Sequence, residues 1–376
     1  MQVHLWLALV SCLPMVVIGI SGSGLLLQRE ILARSMPAAT ATGPQRSIPE
    51  IVAAAAKAAP ATMTASRVEL ARAQGSPATV RFHPKEEGSE IDYYVDPVSL
   101  QVLDSQEVVE RGPVLAFLIT IHAFLAMPPP IGLPFVGYNG VVMAFMGLTG
   151  LVLWWPRKGQ WRNAFTMRRG ARGIAFHFDL HRIVGIWTFL VLLAVSVSGV
   201  YLTFPQTLGP IIRSHLPGGD SPTTNPLAGF VPGSGALTPE KAIALAQAAV
   251  PAARGINVAL PGDEPSYVVE LEPQNLRPSE PHVQVVMDAN TSEITYIDDP
   301  RNYSFPEQVL NWQHLLHFGV GLGLVWTILV FISGLLPLLF AITGITVWWK
   351  KRQAGQARAE ADAFAADGTQ ARVTPS

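Results

Sequence analysis

Nine histidines are spread along this 376-residue chain, and six of them gather in or beside its apolar runs. His4, His122, His181, His314 and His317 lie within such runs or at their ends, and His177 precedes His181 by four residues. An imidazole in apolar surroundings ligates a metal through a neutral ring nitrogen, passes a proton, or hydrogen-bonds a neighbouring helix. Zinc-type sites need three or four donors, and no acidic or thiol ligand accompanies these histidines at a suitable spacing. A proton path needs further ionisable groups, yet no Asp or Glu falls inside the stretches expected to cross the membrane.

An internal repeat pairs the histidines. "GLTGLVLWWPR" at 147–157 and "AITGITVWWKK" at 341–351 align without a gap, setting Thr149 on Thr343 and Trp154–Trp155 on Trp348–Trp349. "VHLWLALVSCLPMVVIGISG" and "LHRIVGIWTFLVLLAVSVSG" set His4 on His181, and "VLAFLITIH" on "VLNWQHLLH" sets His122 on His317. Positions equivalent under a two-fold axis along the membrane normal share one depth and can face each other. His4 with His181 is expected as a pair at the inner face, and His122 with His317 as a pair near the outer face. Two neutral imidazoles on facing helices are what a haem iron takes as axial ligands, which suits electron transfer rather than oxygen binding. His177 and His314 stand at i−4 and i−3 from a proposed ligand, on the same helix face. Either could replace its neighbour or hydrogen-bond a haem propionate. His83, His215 and His282 read as surface residues.

The elements that must position these groups follow from composition. The chain is 49% hydrophobic and only 14% charged, against about 25% charged in a soluble domain. The fold class expected is a membrane α-helical bundle of four transmembrane helices in two parallel repeats, with two small extracytoplasmic α+β domains. Residues 1–27 form the first span, 28–112 the first outer domain, and 113–155 a broken apolar segment with the second span. A basic loop (156–180), a third span (181–204) and a second outer domain (205–308) follow. An outer helix with the fourth span (309–349) leads to a tail (350–376) expected to be disordered. A continuous helix from His122 to Trp154 would rise about 48 Å against a hydrocarbon core of about 30 Å, so "MPPPIGLP" must interrupt it. Arg157, Lys158, Arg162, Arg168, Arg169 and Arg172 crowd one loop without an acid. That loop and the tail with Lys350, Lys351 and Arg352 belong in the cytoplasm, with both termini. In each outer segment a helix precedes strands of alternating polarity, as in "PATVRFHP" and "SYVVELEP". Asp96 matches Asp288 before the last strand. Gly19, Gly22, Gly24, Ser196, Ser198 and Gly199 let helices approach closely, and the tryptophans anchor the interface. Cys12 is the only cysteine, so no intramolecular disulfide forms. No separate basic face suggests nucleic acid, and no glycine fingerprint suggests a nucleotide or flavin.

"LHRIVGIWTFLVLLAVSVSGVYLTF" resembles the His-Arg-x-x-Gly signature helix of the PepSY-associated transmembrane proteins. "YYVDPVSLQVLD" and "VQVVMDANTSEITYI" are similar to the end of a PepSY domain, and the two Thr-Gly/Trp-Trp helices resemble that family's closing helices. The resemblance covers roughly residues 1–352. At His4 the sequence departs from the signature, with Leu5 in place of Arg and Ala8 in place of Gly. The family includes iron-regulated inner-membrane proteins and haem-containing ferric-siderophore reductases. The resemblance therefore implies an inner-membrane protein with haem b, two per chain, held by His181, His4, His122 and His317. It implies a ferric siderophore as acceptor, membrane lipid as surroundings, and quinol or a separate cytoplasmic reductase as electron donor. Two rival readings stand beside it: a haem-free protein that binds peptides or restrains a protease, and a siderophore or metal transporter.

Overall fold

The computed structural model describes residues 2–28, 31, 36–86, 88–108, 113–219, 237–274 and 281–370, with residues 360–370 by backbone alone. In chain order its elements begin with α1 (Gln2–Leu25), α2 (Ile48–Ala58), β1 (Met63–Glu69), β2 (Ala78–Pro84), β3 (Ile91–Val95) and β4 (Val102–Glu107). Next come α3 (Pro113–Phe124), α4 (Pro129–Trp154), α5 (Trp161–Ala164), α6 (Ile174–Thr203), α7 (Pro205–His215) and α8 (Pro239–Ala249). The last are β5 (Ala253–Ala259), β6 (Ser266–Pro273), β7 (Val283–Asp288), β8 (Ile294–Asp298), α9 (Phe305–His317) and α10 (Leu324–Gln370). The chain divides into a helical unit of residues 1–26, 119–205 and 316–376, and a sheet unit of residues 27–118 and 206–315.

In the helical unit α1, α4, α6 and α10 are each long and apolar enough to cross a membrane. They form a closed ring in which α1 and α6 each pack on both α4 and α10. Large apolar side chains such as Val10, Leu13, Trp187 and Leu190 point outward, while Ser11, Ser21, Ser196, Ser198 and Thr343 are buried. That inside-out pattern is stable only where lipid is the solvent and close backbone approach drives association. The buried hydroxyls are satisfied within their own helices, as Ser21 Oγ is by Val17 O at 2.7 Å and Ser198 Oγ by Ala194 O at 2.7 Å. The tightest crossing is α1 on α10. A Cβ on Gly19 would strike the Gly334 carbonyl, and one on Gly334 would strike Ser23 Oγ and the Gly19 carbonyl.

The expected interruption of the second apolar run is present. It separates α3 from α4 over residues 125–128, with Leu125 and Ala126 in the left-handed region at φ 50° and 57°. The fourth run breaks as well, between α9 and α10, where Gly319, Gly321 and Gly323 take φ 68°, 85° and 78°. Glycine tolerates those angles without a Cβ penalty. Two expectations require correction. The third helix starts at Ile174 rather than 181, so His181 lies two turns inside it. The tail is not disordered through residue 370, because α10 continues through "RQAGQARAEADAFAADGTQ". Ala, Glu, Arg and Gln are strong helix formers, and a polar composition hid that propensity. Residues 371–376 lie outside the described residues.

The sheet unit holds the strands of both segments expected as small outer domains. Its strands form one eight-stranded antiparallel sheet in the order β4-β3-β2-β1-β5-β6-β7-β8. The join is β1 on β5, pairing Arg67, Val68 and Glu69 with Ala259, Val258 and Asn257. Each four-stranded half would otherwise leave an edge of unpaired backbone groups, and the join removes both edges. Helices α2 and α8 supply Ile48, Ile51, Ala55, Ala242 and Ala246 to a core with Val68, Val80, Val95, Val258, Val269 and Val285. The α2 N-terminus carries a capping box of Ser47 and Glu50, and its Ile48 amide donates to Glu240 Oε1 at 2.8 Å.

Asp96 fastens the β3–β4 turn. It is buried, and its carboxylate accepts the amides of Thr40, Ala41, Val98 and Ser99 at 2.9–3.1 Å. Burial pushes its pKa up, but the four amides outweigh it and hold the pKa at about 2. The stabilisation is complete above the ordinary value of 3.8 and is lost as pH falls through about 2. Asp288 repeats half of this arrangement, accepting Asn290 and Thr291 amides at 2.8 and 2.7 Å. Asp96→Asn leaves one accepting oxygen and two amides without a partner, a cost of about 2 kcal/mol. Hydrogen exchange of the amides at 40–41 or 98–99 should then quicken about 30-fold at neutral pH. Unchanged exchange would show that the carboxylate does not hold the turn.

Candidate functional site

All four paired histidines fall in the helical unit. His4 stands in the first turn of α1, His181 in α6, His122 in the last turn of α3, and His317 ends α9. His122 and His317 face each other with ring centroids 6.0 Å apart and planes tilted by 47°. His122 Nδ1 donates to Ile18 O at 2.8 Å, and His317 Nδ1 donates to Val195 O at 3.0 Å, with Ser198 Oγ 3.3 Å away. A carbonyl can only accept, so each ring carries its proton on Nδ1 and a lone pair on Nε2. Ile18 and Val195 occupy the same position in the alignment that sets His4 on His181. So do Gly22 and Gly199, whose added Cβ atoms would lie 2.7 Å from His122 Cε1 and 2.8 Å from His317 Cε1. Glycine is what lets the imidazoles lie against α1 and α6.

At the other end of the bundle, His4 Nδ1 lies 2.9 Å from Thr149 Oγ1, and His181 Nδ1 lies 2.9 Å from Thr343 Oγ1. A Cβ added at Gly150 would lie 3.6 Å from His4 Cε1, and one added at the matching Gly344 would lie 3.7 Å from His181 Cε1. From His4 to Gly22, α1 rises about 27 Å, close to the about 30 Å of a hydrocarbon core. The two pairs therefore sit near opposite ends of the helix bundle. His177, one turn before His181, has a buried Nδ1 with no hydrogen-bond partner among the described residues. His314 is exposed on α9, one turn before His317. Of the remaining histidines, His83 is exposed beside Glu90 at 3.2 Å and His215 bonds Ile211 O at 2.9 Å, also exposed; His282 is half-buried.

Among the described residues no three or more His, Cys, Asp or Glu side chains come together as a metal site. The donors come in twos. A metal held between two imidazole nitrogens at about 2 Å each keeps the rings about 6 Å apart centre to centre. The outer pair matches that spacing, with both lone pairs on Nε2 and glycine walls that leave room for the rings. By donor chemistry and ring spacing, the outer pair fits a haem iron.

The Arg of the His-Arg signature has a different task, which the sequence did not reveal. Arg182 donates to the carbonyls of Asn163, Ala164 and Thr166 at 3.0–3.1 Å. Buried Asp179 takes Arg168 through both oxygens, at 2.9 and 3.0 Å, and lies 3.6 Å from Arg182. Trp154 Nε1 donates to Ala164 O at 3.1 Å, and its ring packs edge-on against Trp155, Trp161 and Phe165. Together these contacts fold the basic loop onto the ends of α4 and α6.

A family model described as "PepSY-associated TM region" matches residues 1–351. The chain belongs to that family. The resemblance carried by the His-Arg helix and the two Thr-Gly/Trp-Trp helices is thereby borne out, and this PepSY-associated protein is a multi-pass membrane protein. No curated protein matches the chain.

Proposed function

We propose that this PepSY-associated protein is an inner-membrane b-type haem protein that carries electrons across the membrane to an extracytoplasmic acceptor, a ferric siderophore above all. The observation that carries this reading is the geometry of the two histidine pairs. Near each end of the bundle, two imidazoles set Nδ1 within hydrogen-bond distance of an oxygen on a neighbouring helix, and in the outer pair, where that oxygen is a carbonyl, the metal-binding lone pair lies on Nε2. The corresponding contacts in the two halves support a parallel duplication, with each αβ segment as one PepSY-like domain.

When bound, haem b would supply a one-electron carrier at each pair. His122 and His317 would hold the outer group, and His4 and His181 the inner one. The hydrogen bonds at Nδ1 would orient each ring and raise its basicity as a ligand. His177 lies beside the inner pair, with a ring nitrogen able to meet a propionate. Electrons would enter from quinol or from a separate cytoplasmic reductase, since the sequence shows no nucleotide or flavin fingerprint. One electron converts Fe(III) in the siderophore to Fe(II), which the siderophore then releases. The basic loop at 156–173 would face the cytoplasm by the positive-inside rule, and the sheet unit would face the acceptor.

A reduced-minus-oxidised spectrum of the purified full chain tests this reading. Two b-type haems per chain are expected, together with reoxidation on adding a ferric siderophore. A preparation from haem-replete cells without b-type bands would end it, and the haem-free peptide-binding reading would take its place.

A further inference from the structure

We propose that Thr149 and Thr343 are positioning residues that fix the tautomer of His4 and His181 and thereby tune the inner site. The inference rests on the haem reading for its redox consequence, though not for the tautomer itself. Both threonines belong to the repeated Thr-Gly/Trp-Trp helices, whose small residues otherwise serve only close packing. Each hydroxyl has one proton and a helix carbonyl to receive it. Thr149 Oγ1 lies 3.0 Å from Phe145 O and 3.1 Å from Met146 O. Thr343 Oγ1 lies 2.8 Å from Leu339 O and 3.3 Å from Phe340 O. With the proton spent on the carbonyl, as is usual for threonine within a helix, the oxygen lone pairs face the imidazole. The histidine must then be the donor, with its proton on Nδ1 and its lone pair on Nε2. Thr343 is 2% exposed, so water does not substitute for its hydroxyl.

The two ends of the bundle thus reach one tautomer by different means. The outer histidines donate to backbone carbonyls, which no substitution can delete. The inner ones donate to side-chain hydroxyls, which evolution or mutagenesis can change. Loss of such a partner on a ligating histidine weakens metal binding by about 10–100-fold. It also lowers the basicity of the ligand, which disfavours the ferric form and raises the midpoint potential.

The test compares Thr343→Val, which keeps the shape and removes the acceptor, with Thr343→Ser, which restores it. Thr149→Val is the second variant should the first fold poorly. In the haem-free full chain, 15N NMR of the histidines should show Nδ1-protonated His181 in the parent and in Thr343→Ser. In Thr343→Val it should show a mixture of tautomers. In the haem-loaded chain, Thr343→Val should raise the potential of one of two components and weaken haem retention there about 10–100-fold, with Ser restoring both. Unchanged tautomer, retention and potential in the valine variants would overturn the proposal. A parent chain that takes up no haem would instead sink the function proposed above, while the tautomer measurement still decides the role of the threonines.

Discussion

Replacing His317 with alanine is expected to empty the outer site and remove about half of the reduced-minus-oxidised absorbance of a two-haem chain. The ring of His317 sits 6.0 Å from that of His122, and its orientation is fixed by the Val195 carbonyl. Without it, His122 would be the one imidazole left of the outer pair, lying against Gly22. His122→Ala should give the same loss, because the site is shared equally. His83→Ala serves as the control, since His83 is exposed on β2. Full haem content in His317→Ala would exclude that residue as an essential ligand and direct the question to His314, one turn earlier on α9.

Gly334→Val is expected to destabilise the helical unit by about 3 kcal/mol. The added Cβ would meet Ser23 Oγ and the Gly19 carbonyl, and a backbone atom cannot rotate away as a side chain can. Relief requires α1 and α10 to move apart, which also breaks the bond from Ser23 Oγ to Phe331 O at 2.8 Å. Thermal unfolding of the full chain in detergent should show the loss directly. Gly355→Ala on the same helix, with nothing within 4 Å of its added Cβ, should instead be neutral or stabilising by up to about 1 kcal/mol. Equal melting temperatures for the two variants would show that α1 and α10 do not meet at this crossing.

Much of the architecture was legible in the sequence because its signals are local. Hydropathy adds residue by residue, so four spans could be counted, and the proline run marked one helix break at 125–128. Alternating polarity gave the strands, and the two Thr-Gly/Trp-Trp endings set the register that placed His122 opposite His317. The fourth run was expected as an outer helix and a span, but the place of its break, at Gly319, Gly321 and Gly323, was not legible. Glycines in an apolar run also serve close helix packing, so their identity alone does not distinguish a kink from a contact. The helical tail through residue 370 was misread for a similar reason, because polarity signals solvent exposure rather than the absence of a helix.

The sequence by itself determined a membrane protein of four spans, through composition and spacing along the chain. Its motifs carried the resemblance to the family that matches it. Only the tertiary structure decided that β1 joins β5 into one sheet, because edge pairing is made by backbone groups that every residue carries. It alone assigned Arg182 to the loop carbonyls, and it alone gave His4 and His181 their threonine partners, 145 and 162 residues away. A hydrogen bond across such a distance depends on how helices cross, and no local pattern encodes that crossing.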